Sequence, residues 1–198
     1  MRQPLPDGYL HISAIADGMD HGKYALPRHG IFDSKEFQGF QRPVLDPTAI
    51  ICHGYSVMVY LSQPTTAKDS SFSMEAILHT LDQLAAEGID LRKVCLQLQA
   101  DNTTREVKNN TTLRGAGSLV ATHRVHSVRV CHLMSGHSHE DIDQFFSTLT
   151  AVLASNPELE TAEDFKRVLS TFLNDPTVRP SEPRRAVHIV SRVRNWML

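Results

Sequence analysis

The sequence predicts an α/β domain built on a mixed five-stranded sheet flanked by helices. Three observations carry this. Three β-branched or aromatic segments come early with no helical segment between them, which reads as an antiparallel meander. Helix-period and strand-period segments then alternate, which implies parallel pairing through right-handed crossovers. Two of the strands end on aspartate, at Asp17 and Asp101.

YLHISAIAD (9–17) is a short apolar-rich strand ending at Asp17-Gly18, a turn signal. Residues 18–47 follow as a long polar connection rich in Gly and Pro. TAIICHGYSVMVYLSQ (48–63) is too long for one strand, and Gly54 divides it into 48–53 and 55–62, as a hairpin or a bulge. Over 70–88, Met74, Ile77, Leu78, Leu81, Leu84 and Ala85 recur at helical spacing, with Ser71 or Ser73 as cap and Gly88 as stop. LRKVCLQLQAD (91–101) alternates as a strand. Residues 105–124 form a weaker helix, because Gly115, Gly117 and the threonines dilute it. Residues 125–136 are the fifth strand; 141–156 and 161–175 are helices, the latter opening on a capping-box-like Thr161 and Asp164. The domain is expected over 1–175. Residues 176–198 read as a linker stiffened by Pro176, Pro180 and Pro183 and a basic apolar tail, strand or short helix.

The formal net charge of -2 gives the whole chain no electrostatic footprint for nucleic acid, though a local basic patch is compatible with it. Three cysteines, Cys52, Cys95 and Cys131, sit in apolar runs without a C-x-x-C pair, which argues against a secreted disulfide scaffold and for inert buried thiols. The chain has neither an apolar signal core nor a run approaching the ~20 apolar residues of a membrane span. The expectation is an intracellular protein, nuclear or cytoplasmic, with no membrane partner.

Ligands of open α/β sheets gather outside the carboxyl ends of strands. GHSHEDIDQFFS (136–147) follows the last strand of the sheet and crowds His137, His139, Glu140, Asp141 and Asp143 at the start of a helix. If the strands are neighbours, Asp17, Asp101 and this cluster converge. Three carboxylates around one point repel unless a cation lies between them, and oxygen donors favour Mg²⁺ or Mn²⁺. With the helix stripe centred on Ile142, Glu140 points to solvent, Asp141 lies on one border and Asp143 on the other, where His139 shares its flank. Asp143 with His139 is one candidate pair and Asp141 the other candidate; Glu140 is least favoured. The plainer alternative is a helix cap, with Ser138 or His139 at the N-cap and the acids on the helix dipole. A zinc site from His137 and His139 has only the weak H-x-H spacing behind it.

Two stretches become specific together. QADNTTREVKN (99–109) and GHSHEDIDQFFS resemble the paired motifs D-N-x-x-R-E-x-K-N and G-H-T-H-E-D-I-D-Q-x-F-S of a transposon-derived eukaryotic family, domain of unknown function 7869. IADGMDHGKYALPR (15–28) resembles its opening motif, and 35–55 and 161–165 also fit, so the resemblance covers roughly residues 9–170. Ser138 stands where the family often has Thr, and the helix after Asp101 is thinner in large residues than the family's. The resemblance implies a ribonuclease H-like fold of the integrase and DDE transposase type. It implies Asp17 or Asp20 as first acid, Asp101 as second and one of Glu140, Asp141 or Asp143 as third. Asn102, Arg105, Glu106, Lys108, Asn109, His137 and His139 would position substrate or support the site. The implied activity is a metal-dependent nuclease or transposase core, with two Mg²⁺ or Mn²⁺ ions and nucleic acid, DNA rather than RNA, as partner. Arg105, Lys108 and the tail arginines 179, 184, 185, 192 and 194 would meet phosphates. The short chain around these motifs suggests a fragment, a decayed copy or a domesticated domain. The alternative is a catalytically inactive binding module that keeps the fold.

Overall fold

A computed structural model describes residues 8–19, 25–33, 39–100, 109–132 and 140–196, with the side chains of Asp33, His132 and Glu140 left aside. β1 (Leu10–Gly18) alternates between two buried faces: Ile12 and Ala14 join one core, Ile15 the other. A strand buried on both sides belongs in the middle of a sheet. β2 (Asp46–Cys52) and β3 (Ser56–Ser62) form the hairpin divided by Gly54, whose φ of +76° is the left-handed turn conformation that glycine adopts without strain. All seven residues of β3 are buried, as a continuous apolar run requires.

α1 (Ser70–Ala86) is capped two residues before the nearer of the two serines. Its N-cap is Asp69, whose Oδ1 accepts from the Ser71 and Phe72 N–H groups at 2.9 and 3.1 Å. A carboxylate there takes two orphan donors and also meets the helix dipole, which a serine hydroxyl does not. β4 is Val94–Ala100, preceded by a 3-10 turn at Leu91–Lys93. α2 (Asn110–Ala121) is thin in large residues for a packing reason: a Cβ at Gly115 would lie 2.5 Å from Met74 Cε of α1. The glycine is what lets the two helices close on each other. β5 (Ser127–His132), α3 (Glu140–Ala154) and α4 (Ala162–Leu173) follow, and the Thr161–Asp164 capping box is formed in both directions.

The sheet has six strands, not five. The basic apolar tail supplies β6 (Arg184–Val190), which pairs parallel with β3 from Ser56↔Arg184 to Ser62↔Val190. Three prolines and four nearby arginines hide its periodicity in the sequence. The order is β5-β4-β1-β2-β3-β6. β1, β2 and β3 form the antiparallel meander; β4 is parallel to β1, and β5 to β4. One face packs against α1 and α2 through Ile12, Met58, Leu96, Phe72 and Leu81. The other packs against α3 and α4 through Ile15, Ile51, Val59, Phe145 and Phe165. The architecture is therefore α/β, an open mixed sheet between two helical layers.

The three cysteines are free, and burial pushes the Cys52 thiol up to about 12, so it is inert at neutral pH. No helix among the described residues is long and apolar enough to cross a membrane.

Candidate functional site

Register fixes one edge of the sheet. Ala16 of β1 pairs with Ala100 of β4, and Ala100 with His132 of β5. The parallel ladders of three adjacent strands thus end at one level, with β1 running two residues further against β2. In the chain, Asp17 follows Ala16, Asp101 follows Ala100, and the 133–139 stretch follows His132. Asp17 is half-buried, lies on the strand parity of Ile15, and accepts from the Gly18 N–H at 2.8 Å.

Asp20, Asp101, Asn102, Arg105, Glu106, Lys108, His137 and His139 lie outside the described residues, as does any zinc site built on the two histidines. Glu140 opens α3. Asp141 and Asp143 are both exposed and flank the buried Ile142, as the helix stripe requires. Asp141 meets a histidine of the β2–β3 turn. Its Oδ2 lies 3.7 Å from His53 Nδ1, and the His53 N–H donates to Ser13 O, four residues upstream of Asp17 on β1. Asn109 is the N-cap of α2, accepting from Thr112 N–H at 3.0 Å. Among the described residues, no three His, Cys, Asp or Glu side chains gather within reach of one metal ion.

The same edge holds a group that sequence reasoning missed. Lys68 has a side chain only 10% exposed, with Nζ 3.3 Å from Asp46 Oδ1. Its amine also rests against Gly18, where an added Cβ would collide with it. The Asp17-Gly18 pair therefore reads as a turn in sequence but ends a strand, and the glycine clears room for the lysine. A lysine this buried is unusual unless paired. Gly18→Ala is expected to push the amine off Asp46 and, because only the end of a flexible side chain has to give, to lower stability by about 1 kcal/mol or less, read as a shift in the urea midpoint.

Beyond Lys68 the edge opens into a groove of about 550 Å³ lined by Gln41, Arg42, Asp46, Ser62, Gln63 and Thr66, with Val44 and two prolines. Arg42 donates from one N–H to Pro27 O at 3.0 Å, and its guanidinium lies 5.4 Å above the Phe32 ring.

A second polar cluster sits under β6. The Thr80 hydroxyl donates to Ala76 O at 2.9 Å. Its one proton is thereby used, so Tyr60, 2.7 Å away, donates to Thr80. His79 Nδ1, 3.1 Å from the Tyr60 oxygen, must then carry the proton and donate to it. His188 stacks on Tyr60 and meets His79 with ring centroids 4.4 Å apart. Its Nε2 is buried without a hydrogen-bond partner, beside a cavity of about 230 Å³.

Residues 45–198 match the model of one protein family, described as a domain of unknown function (DUF7869). No curated protein and no solved structure matches the chain.

Proposed function

Because the chain belongs to the DUF7869 family, we propose that it is a ribonuclease H-like, transposase- or integrase-type core that acts on nucleic-acid phosphodiesters at the carboxyl edge of its sheet. The observation that carries this reading is the common level at which the β1–β4 and β4–β5 parallel ladders end, with Asp17 the next residue of β1. An antiparallel meander followed by parallel strands is also the arrangement such a fold calls for, with β6 as an addition.

In this reading Asp17 (or Asp20) and Asp101 are the first two acids, and Asp143, Asp141 or Glu140 the third. Carboxylate oxygens suit a hard divalent cation, and the half-buried Asp17 fits that donor class. Bound Mg²⁺ or Mn²⁺ would supply activation of water or a 3′-hydroxyl and stabilisation of the leaving oxygen. The chain's own task is to hold the acids on the ends of fixed strands and to neutralise phosphate nearby. Cleavage of labelled single- and double-stranded oligonucleotides tests it. Activity should require Mg²⁺ or Mn²⁺, stop in EDTA, and fall on the order of 10²–10³-fold in Asp17→Asn and Asp101→Asn. Metal-independent cleavage, or none at all, opposes the reading.

A second reading, an inactive module that keeps the sheet and has lost the chemistry, has one observation in its favour. Asp141 pairs with His53 of the β2–β3 turn, the kind of structural contact an inactive module would keep.

A further inference from the structure

We propose that a nucleic-acid strand seats on the polar half of the sheet face that carries Asp17, held by Gln97, Gln99 and Arg129. The inference rests on the reading of the carboxylate edge given above and says where the substrate lies as it approaches that edge.

Strand parity sets the surface. Ser13 pairs with Gln97, and Gln97 with Arg129; two residues on, Ile15 pairs with Gln99, and Gln99 with Cys131. Paired residues of a ladder point to the same face, and so do residues two apart on a strand. Asp17 is the next position of this series on β1. The opposite parity (Ile12, Ala14, Leu96, Leu98 and Val128) packs into the core under α1 and α2. The two rows therefore lie on the face of α3 and α4, and Asp17 lies there with them.

The helices cover only part of that face. Among the described residues, its core takes Ile15 from β1 and nothing from β4 or β5. Burial alternates strictly along β4: Val94, Leu96, Leu98 and Ala100 are buried, whereas Cys95, Gln97 and Gln99 are part-exposed. Ser13 and Cys131 are part-exposed as well, and Arg129 is exposed. Parallel strands are normally packed under apolar groups on both faces. Here three of them carry a polar strip on one face, and a polar surface of this kind is satisfied by water or by a polar partner.

Chemistry picks the partner. The strip spans β1, β4 and β5, two interstrand spacings or about 10 Å, which suits one strand of nucleic acid and not a duplex. Its two rows carry a guanidinium, two amides and a hydroxyl, and no carboxylate comes before Asp17. A guanidinium and amides donate to phosphate oxygens and base edges, so the strip positions a strand by hydrogen bonds more than by bulk charge. The row of Arg129 stands four residues before Asp17 on the same face, so a strand held there leads to the candidate carboxylate. Asp141 borders the strip, turned to His53 at 3.7 Å. A protein partner would call for apolar groups at the centre of the patch. The one large apolar residue of these two rows, Ile15, is already buried.

The test is anisotropy of a fluorescein-labelled oligothymidylate against the full chain in EDTA, so that no metal site contributes, with thiol reactivity read beside it. Cys95 and Cys131 share the strip's parity and are part-exposed, whereas Cys52 is buried in the opposite core. Bound oligonucleotide should slow the reaction of Cys95 and Cys131 with a thiol reagent. Arg129→Gln should weaken binding by about fivefold near 0.1 M salt and reduce the slope of log K against log salt by about 0.7, one phosphate contact. Gln97→Glu, which sets an anion between Ser13 and Arg129, should weaken it as well. Arg114→Gln removes a charge from α2, in the opposite helical layer, and should leave binding unchanged. No binding by wild type, or binding that leaves both thiols reacting at their free rate, would overturn the proposal. So would unchanged affinity in Arg129→Gln and Gln97→Glu, or an equal loss in Arg114→Gln. Asp17→Asn should keep this metal-free binding. A wild type that binds Mn²⁺ but no oligonucleotide sinks the strip alone, and the converse sinks the metal site alone.

Discussion

Glu182→Ala is expected to cost about 3–5 kcal/mol, the largest loss from any single carboxylate in this fold. The Glu182 side chain is 2% exposed and forms an ion pair with Arg179. Oε1 accepts from the Gly54 N–H at 3.0 Å; Oε2 accepts from the Ser181 hydroxyl at 2.7 Å and from Arg179 Nε at 3.2 Å. It thereby ties the β2–β3 turn to the segment that delivers β6, and Arg185 braces that segment through the Glu182 and Arg179 carbonyls. Removing the carboxylate leaves a buried amide and a buried guanidinium without their acceptor. Urea denaturation of wild type, Glu182→Ala and Glu182→Gln checks this, with the glutamine intermediate because it can still accept from Gly54. A loss under about 1 kcal/mol for alanine would mean the turn and β6 are held by other contacts. Burial acts to raise this carboxyl, but Gly54, Ser181 and Arg179 overcome it and hold it below the usual range. Its contribution is therefore full above the unfolded carboxyl value near ~4.3 and is lost as pH falls through the lower folded value.

Acid is expected to destabilise the fold earlier, through His188. Burial, with His79, Lys166 and Arg184 nearby, lowers it from 6.5 to about 4. The unfolded chain then takes up the proton first. Stability is full above the unfolded value, falls across the window from 6.5 to about 4, and levels off below it. Because the residue is only half-buried, solvent screening reduces the effect to about 2 kcal/mol. The groups facing it bear out the sign: Glu75, the acid lining the same cavity, is already engaged by Arg194 and by the Trp196 indole N–H. His188→Phe should keep the stack on Tyr60 and flatten the stability profile in this window. The chain has one tryptophan, so Trp196 fluorescence reports on the segment that closes over the cavity. A wild-type profile already flat in that window, or one that the substitution leaves sloping, would mean that His188 is not the group titrating.

Elements that bury one or two full faces were legible in the sequence. β1 to β5, α1, α3 and α4 stand where periodicity put them, because alternation and the helical stripe record burial directly. β6 was legible only as a strand or a short helix, since its exposed edge and its arginines dilute the pattern. The N-cap of α1 was misread by two or four residues because several residues there are competent caps. At the site, the strand ends on aspartate marked the carboxyl edge of the parallel strands, and Asp17 lies there. The contacts that give that edge its character carry no periodic signal: Lys68 on Gly18, Glu182 on Gly54, His53 near Asp141. Each joins segments far apart in the chain, and only the folded register brings them together.

Calorimetric titration of Mn²⁺ into the full chain, with Asp17→Ala, Asp101→Ala and Asp141→Ala beside wild type, tests the carboxylate edge most directly. The account predicts micromolar binding that disappears in Asp17→Ala and Asp101→Ala while both variants stay folded, and the Asp141→Ala titration decides whether Asp141 is the third acid. A folded wild type that takes up no Mn²⁺, or binding indifferent to Asp17 and Asp101 alike, would contradict it.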